Sequence, residues 1–148
     1  MGLLVFLAMQ VNAAYAGEVQ EYRVEADQYY QQREFKKAYK IYYKLAQQGD
    51  HYSQAQIAKM YTTGEGKKVD LAQAYAWSVL AAESGEKELL ENSDILLSRN
   101  TDPELARKKA EKLRGKYGVE ALQKKAELAE KKKLKNFGKC TGSRIRCS

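Results

Sequence analysis

The 148-residue chain holds one proline, one histidine, one tryptophan and two cysteines. Each scarcity excludes something. With Pro103 the only proline and few glycines outside turns, an Ala-, Lys-, Glu-, Leu- and Gln-rich chain favours helix throughout. His51 has no serine–carboxylate partnership of the kind that activates a nucleophile, and no P-loop or dinucleotide glycine pattern occurs. No enzyme is expected. Cys140, Cys147 and the distant His51 fall short of the four ligands of a zinc site, and the two cysteines do not form the C-x-x-C of a redox pair. No metal or cofactor is expected. The longest leading apolar run, Leu3 to Met9, is far below the roughly 20 residues that cross a bilayer as a helix.

That run has another use. Ala14-Tyr15-Ala16 follows it with small-x-small spacing, and Gly17 comes next. Residues 1–16 are therefore read as a secretory signal peptide, without the usual positive start; a buried first helix is the alternative. No cysteine sits at the cleavage point, so a lipoprotein is not indicated. In an exported chain Cys140 and Cys147 are expected to form one disulfide, closing a small loop that displays Arg144 and Arg146. The loop reads equally as a recognition hairpin for an anionic partner or as a stapled terminus.

Charge is unevenly placed. Residues 104–148 hold 15 Lys/Arg against 5 Asp/Glu, whereas residues 1–103 hold 11 against 14. A mildly acidic body thus carries a strongly basic tail.

Tyr61 to Gly85, YTTGEGKKVDLAQAYAWSVLAAESG, organises the body. Gly64 and Gly66 mark a turn, Asp70 is placed to cap the next helix, and Gly85 is placed to end it. A shift of 36 residues lays Phe35–Asp50 on Leu71–Glu86, pairing Ala38 with Ala74, Tyr39 with Tyr75, Ile41 with Trp77, Ala46 with Ala82 and Gly49 with Gly85. A period in the mid-thirties with two helices per unit signals a helical solenoid, whose units bury their apolar faces against one another. Helices are expected near 18–32, 35–48, 52–63, 70–84, 87–99 and 103–117, the sixth opened by a Thr101–Glu104 capping box. A charged helix follows over 119–136, then an irregular tail.

The central stretch resembles a Sel-one-like repeat, a relative of the tetratricopeptide repeat. The resemblance rests on Ala58, Tyr61, Gly64, Gly66, Asp70, Ala74, Trp77, Ala81, Ala82 and Gly85, all at the family's spacing. The chain departs at Lys67, where the family has Val, with Val69 two residues on. The first unit, carrying Ala26, Tyr29, Phe35, Ala38 and Tyr42, resembles the plain tetratricopeptide form with a turn four residues shorter. The resemblance implies an all-α, right-handed helical-hairpin solenoid; with the two helices after Gly85 as its C-terminal cap the repeat domain spans 17–118, and a basic helix and disulfide-closed tail take up 119–148. It also implies a concave groove lined by the first helix of each unit. The groove-facing positions are Arg23, Asp27 and Tyr30, then Tyr52, Lys59 and Thr62; an ordinary solvated face is the plainer reading of the same positions.

The expected function is a non-enzymatic interaction or adaptor module of the bacterial periplasm that binds a protein partner in the groove. The alternative is a cell-envelope-binding protein whose basic tail grips anionic lipid or cell-wall polymer. Nucleic acid is not expected, because the lysine-rich stretch lacks interleaved aromatics. So short a solenoid also leaves open a homodimer that completes the core.

Overall fold

The computed structural model describes the backbone of residues 2–140 and the side chains of residues 16–136. The helices are α1 (Gly2–Gln31), α2 (Phe35–Ala46), α3 (His51–Thr63), α4 (Leu71–Ala81), α5 (Lys87–Ser98), α6 (Pro103–Tyr117) and α7 (Val119–Cys140), with a single 3₁₀ turn at Ala82–Ser84. There is no strand among the described residues. No described helix is long and apolar enough to cross a membrane.

Local chemistry sets the boundaries. The Asp50 carboxylate caps α3 by accepting the Ser53 N–H at 2.9 Å, and Asp70 caps α4 through the Gln73 N–H at 2.8 Å. Gly64 stops α3 in the left-handed region, its N–H bonded to the Met60 carbonyl at 3.0 Å. The segment between α3 and α4 (64–70) is four residues longer than that between α1 and α2 (32–34), as the sequence indicates. Helices α2 and α4 begin 36 residues apart.

Four expectations need correction. Thr101 does not cap α6; Asp102 does, accepting the Leu105 N–H at 2.9 Å, because Pro103 takes the first helical position. The helix expected over 70–84 ends at Ala81 and tightens into the 3₁₀ turn before Gly85, leaving Ala82 half-buried. The last helix runs on to Cys140, through Phe137–Lys139, which were expected to be irregular; one interior glycine, Gly138, costs only about 1 kcal/mol. Helix α1 also starts well before residue 18, since nothing in Gly2–Gly17 breaks it. Cys147 lies outside the described residues, and so does the expected disulfide.

Helix α4 is the centre of the packing. It contacts α3, α5 and α6, while α1 packs on α2 and α2 on α3. Trp77, fully buried at its middle, stacks on Tyr117 of α6 with centroids 5.9 Å apart and meets Tyr43 of α2 edge-on at 5.6 Å. Tyr43 in turn stacks on Tyr39 at 5.5 Å. Gln47 donates to the Tyr117 hydroxyl at 2.9 Å. A column of aromatic rings therefore joins α2, α4 and α6. Small residues bring the backbones together around it: Ala38, Ala46, Ala58, Ala74, Ala81 and Ala106 are buried. Removing a ring of this size from such a core costs about 3–5 kcal/mol.

Candidate functional site

Four of the six residues expected at the groove line two adjoining concavities. Tyr52, Lys59 and Thr62 of α3 line a cleft of about 560 Å³ whose far wall is α5, with Leu89, Asn92, Ile95 and Arg99, and whose floor includes Ser78 and Ala81 of α4. Arg23 of α1 lines a second hollow of about 470 Å³ with Asp50, His51 and Glu86, and Tyr52, Ala55 and Leu89 belong to both. The surface thus runs from α1 across α3 to α5. Asp27 and Tyr30 line neither cavity.

These positions are bonded to one another and to the fold. The Arg23 guanidinium pairs with Asp50 and lies over the Tyr52 ring, 5.5 Å from its centroid. The Asp27 carboxylate accepts hydrogen bonds from the hydroxyls of Tyr42 and Tyr52, the latter at 2.8 Å. Tyr30 donates to Glu65 in the long turn, packs edge-on against Phe35 at 5.2 Å, and carries the Lys59 ammonium 4.9 Å from its ring centre. Thr62 returns its hydroxyl to the Ala58 carbonyl at 2.9 Å. The sequence did not show that Arg23, Asp27 and Tyr30 bond to the scaffold. Those bonds depend on Asp50, Tyr42 and Glu65, which are distant in the chain.

Electrostatics follow from these contacts. Burial, then the bond to Glu65, pushes the Tyr30 phenol up to about 12. Burial and the Asp27 carboxylate raise Tyr52 to about 12 as well. Burial alone would raise the Asp50 carboxyl, but hydrogen bonds from Arg23 and Ser53 outweigh it and hold the group below its ordinary value. His51 Nδ1 lies 3.1 Å from Gln54 Oε1 and 3.2 Å from the Leu80 carbonyl, so its N–H bridges α3 and α4.

The repeat-signature residues have structural positions. Ala58, Ala74, Trp77 and Ala81 are core, and Tyr61 is half-buried with its hydroxyl 3.1 Å from that of Tyr39. Gly66 presses against Phe35: an added Cβ would meet the Phe35 carbonyl oxygen at 2.9 Å. Asp70, besides capping α4, accepts from Lys109 of α6 at 2.7 Å, which holds its carboxyl low against the opposing effect of burial.

The basic helix is docked only at its root. Glu83 accepts from Arg114 at 3.0 Å and from the Val119 N–H at 2.8 Å, so one carboxylate ties the end of α4's chain segment to α6 and caps α7. Leu122 lies over Gly49, close enough that an added Cβ there would be 2.8 Å from its Cδ1. Lys125 donates to the Lys116 carbonyl at 2.5 Å. From Gln123 to Asn136 every side chain is exposed. Sequence reading left open whether this helix docks or projects; its first turn docks and the rest projects.

Among the described residues no three His, Cys, Asp or Glu side chains are grouped to hold a metal. No protein-family model, curated protein or solved structure matches the chain.

Proposed function

We propose that the chain is a Sel-one-like helical-repeat adaptor, exported to the bacterial periplasm, that binds a protein or peptide along the α1–α3–α5 face. One observation carries this reading. Three of the six groove positions named from the sequence, Tyr52, Lys59 and Thr62, line one cleft with an opposite wall of mixed apolar and polar side chains. Such a wall, with Ile95 half-exposed beside Asn92 and Arg99, offers both buried area and hydrogen bonds. The aromatic column through α2, α4 and α6 supports stacked helical hairpins in which α1, α3 and α5 are left to face a ligand.

The test is capture from an envelope extract with three full-chain-derived baits: wild type, Lys59→Ala/Asn92→Ala/Ile95→Ala, and a chain ending at Gly118. Tyr30 and Tyr52 are left intact because they hold scaffold bonds, and Tyr117 is kept because it stacks on Trp77. The adaptor reading expects a partner lost only with the groove variant. A partner retained by that variant but lost on truncation, and released by moderate salt, sinks it.

A second reading has its own observation. The projecting part of α7 exposes Lys124, Lys125, Lys131, Lys132, Lys133 and Lys135. An envelope-binding role, with the repeats as a spacer and the arm gripping an anionic component, rests on that exposure.

A further inference from the structure

Helix α7 segregates its side chains into stripes. At about 100° per residue, positions 119, 122, 126, 129 and 133 align. They hold Val119, Leu122, Ala126, Ala129 and Lys133. Next to them run Glu120, Gln123, Glu127, Glu130 and Leu134. On the side away from the apolar stripe run Lys124, Leu128, Lys131 and Lys135, flanked by Lys125 and Lys132 one heptad apart. The carboxylates therefore do not interrupt the lysines.

We infer that this lysine stripe is a docking surface for a linear phosphate polymer, which enters at the root of α7 and runs outward along the helix. The inference deepens the second reading above and rests on it. Its root is a built concavity. A cleft of about 790 Å³ between the end of α6 and the first turns of α7 is lined by Arg114, Gly115, Lys124, Lys125 and Leu128, with Glu83 and Glu120 also on its wall. The Glu83 charge is already met by Arg114 and the Val119 N–H. Lys124 in the cleft and Lys131, Lys132 and Lys135 beyond it are exposed, with no ion pair or hydrogen bond among the described residues. From Lys124 to Lys135 the rise is about 16 Å, room for several successive phosphates.

Two features select the polymer over other anions. A helix lying lysine-side down on an anionic bilayer would offer it one apolar side chain, Leu128, and turn Val119, Leu122, Ala126 and Ala129 away from the lipid, whereas interfacial helices bury a whole apolar face beside their cations. The stripe also has no aromatic side chain on which bases stack, so the phosphate chain alone is the recognised chemistry.

The probe is inorganic polyphosphate, titrated into the full chain at several salt concentrations. Lys124→Gln/Lys131→Gln/Lys135→Gln is expected to lower the slope of log K against log salt by about 2, at roughly 0.7 per lost contact. Lys36→Gln/Lys40→Gln/Lys68→Gln, with the same charge loss on the body, is expected to leave it unchanged. The sharpest comparison is between neighbours. Lys132→Gln should weaken binding several-fold, while Lys133→Gln, about 100° away on the apolar stripe, should not. Equal losses from these two overturn the stripe and leave a diffuse basic tail. Stronger binding to phosphatidylglycerol vesicles than to polyphosphate overturns the polymer but keeps the second reading as lipid binding. No binding of either probe by wild type removes both.

Discussion

Tyr52 works in two directions at once. Its ring faces the cleft between α3 and α5, and its hydroxyl is tied to Asp27 on α1. A binding surface built from such residues is rigid before a ligand arrives, which reduces the ordering cost of association. The same bond has a pH signature. The Tyr52 phenol is raised to about 12 by burial and by Asp27, against 10.0 in an unfolded chain. Above pH 10 the unfolded state sheds this proton first, so stability is full below pH 10 and declines as pH climbs toward 12. Tyr52→Phe should shallow that decline, measured as the urea midpoint at pH 9, 10.5 and 11.5. A decline identical to wild type would show that the Asp27 bond does not perturb the phenol.

The 64–70 segment is the element whose role was most legible. Gly64, Gly66 and Asp70 can be read from residue type and spacing alone, because a left-handed glycine and a capping carboxylate are local requirements. What the segment touches was not legible. Glu65 reaches Tyr30, Gly66 backs onto Phe35, and Asp70 binds Lys109, contacts set by tertiary packing that no local pattern encodes. Thr101 is a different case: the capping box placed the cap there, whereas Pro103 at the first helical position puts it on Asp102. The distinction also applies to Arg23 and Asp27, named for the groove by the resemblance, whose bonds to Asp50 and Tyr42 no local pattern encodes. Gly66→Ala and Gly85→Ala separate the local from the tertiary contribution. Both glycines have positive φ, but an added Cβ meets backbone at Gly66 and nothing within 4 Å at Gly85. Chemical denaturation should show a loss of about 1 kcal/mol for Gly85→Ala and at least twice that for Gly66→Ala. A reversed order would mean that the turn does not rest on Phe35.

At the scale of the molecule, a body centred on α4 carries an arm fastened at one end. Glu83→Ala removes the carboxylate shared by Arg114 and the Val119 N–H, both on the surface. Amide exchange across residues 119–123 and tryptic cleavage after Lys124 should quicken, while the thermal midpoint falls by only about 4 °C, the shift expected for a loss of about 1 kcal/mol. Unchanged exchange in α7 would place its anchor elsewhere, with Leu122 over Gly49 the next contact to test. Fastening at one end also makes the arm a lever. The described side chains of α7 extend over 18 residues, about 27 Å of helix, joined to α6 through the single residue Gly118. A rotation of about 10° at that residue carries the outer lysines about 5 Å while Val119 scarcely moves, so small adjustments at the root are amplified into the reach of the charged end.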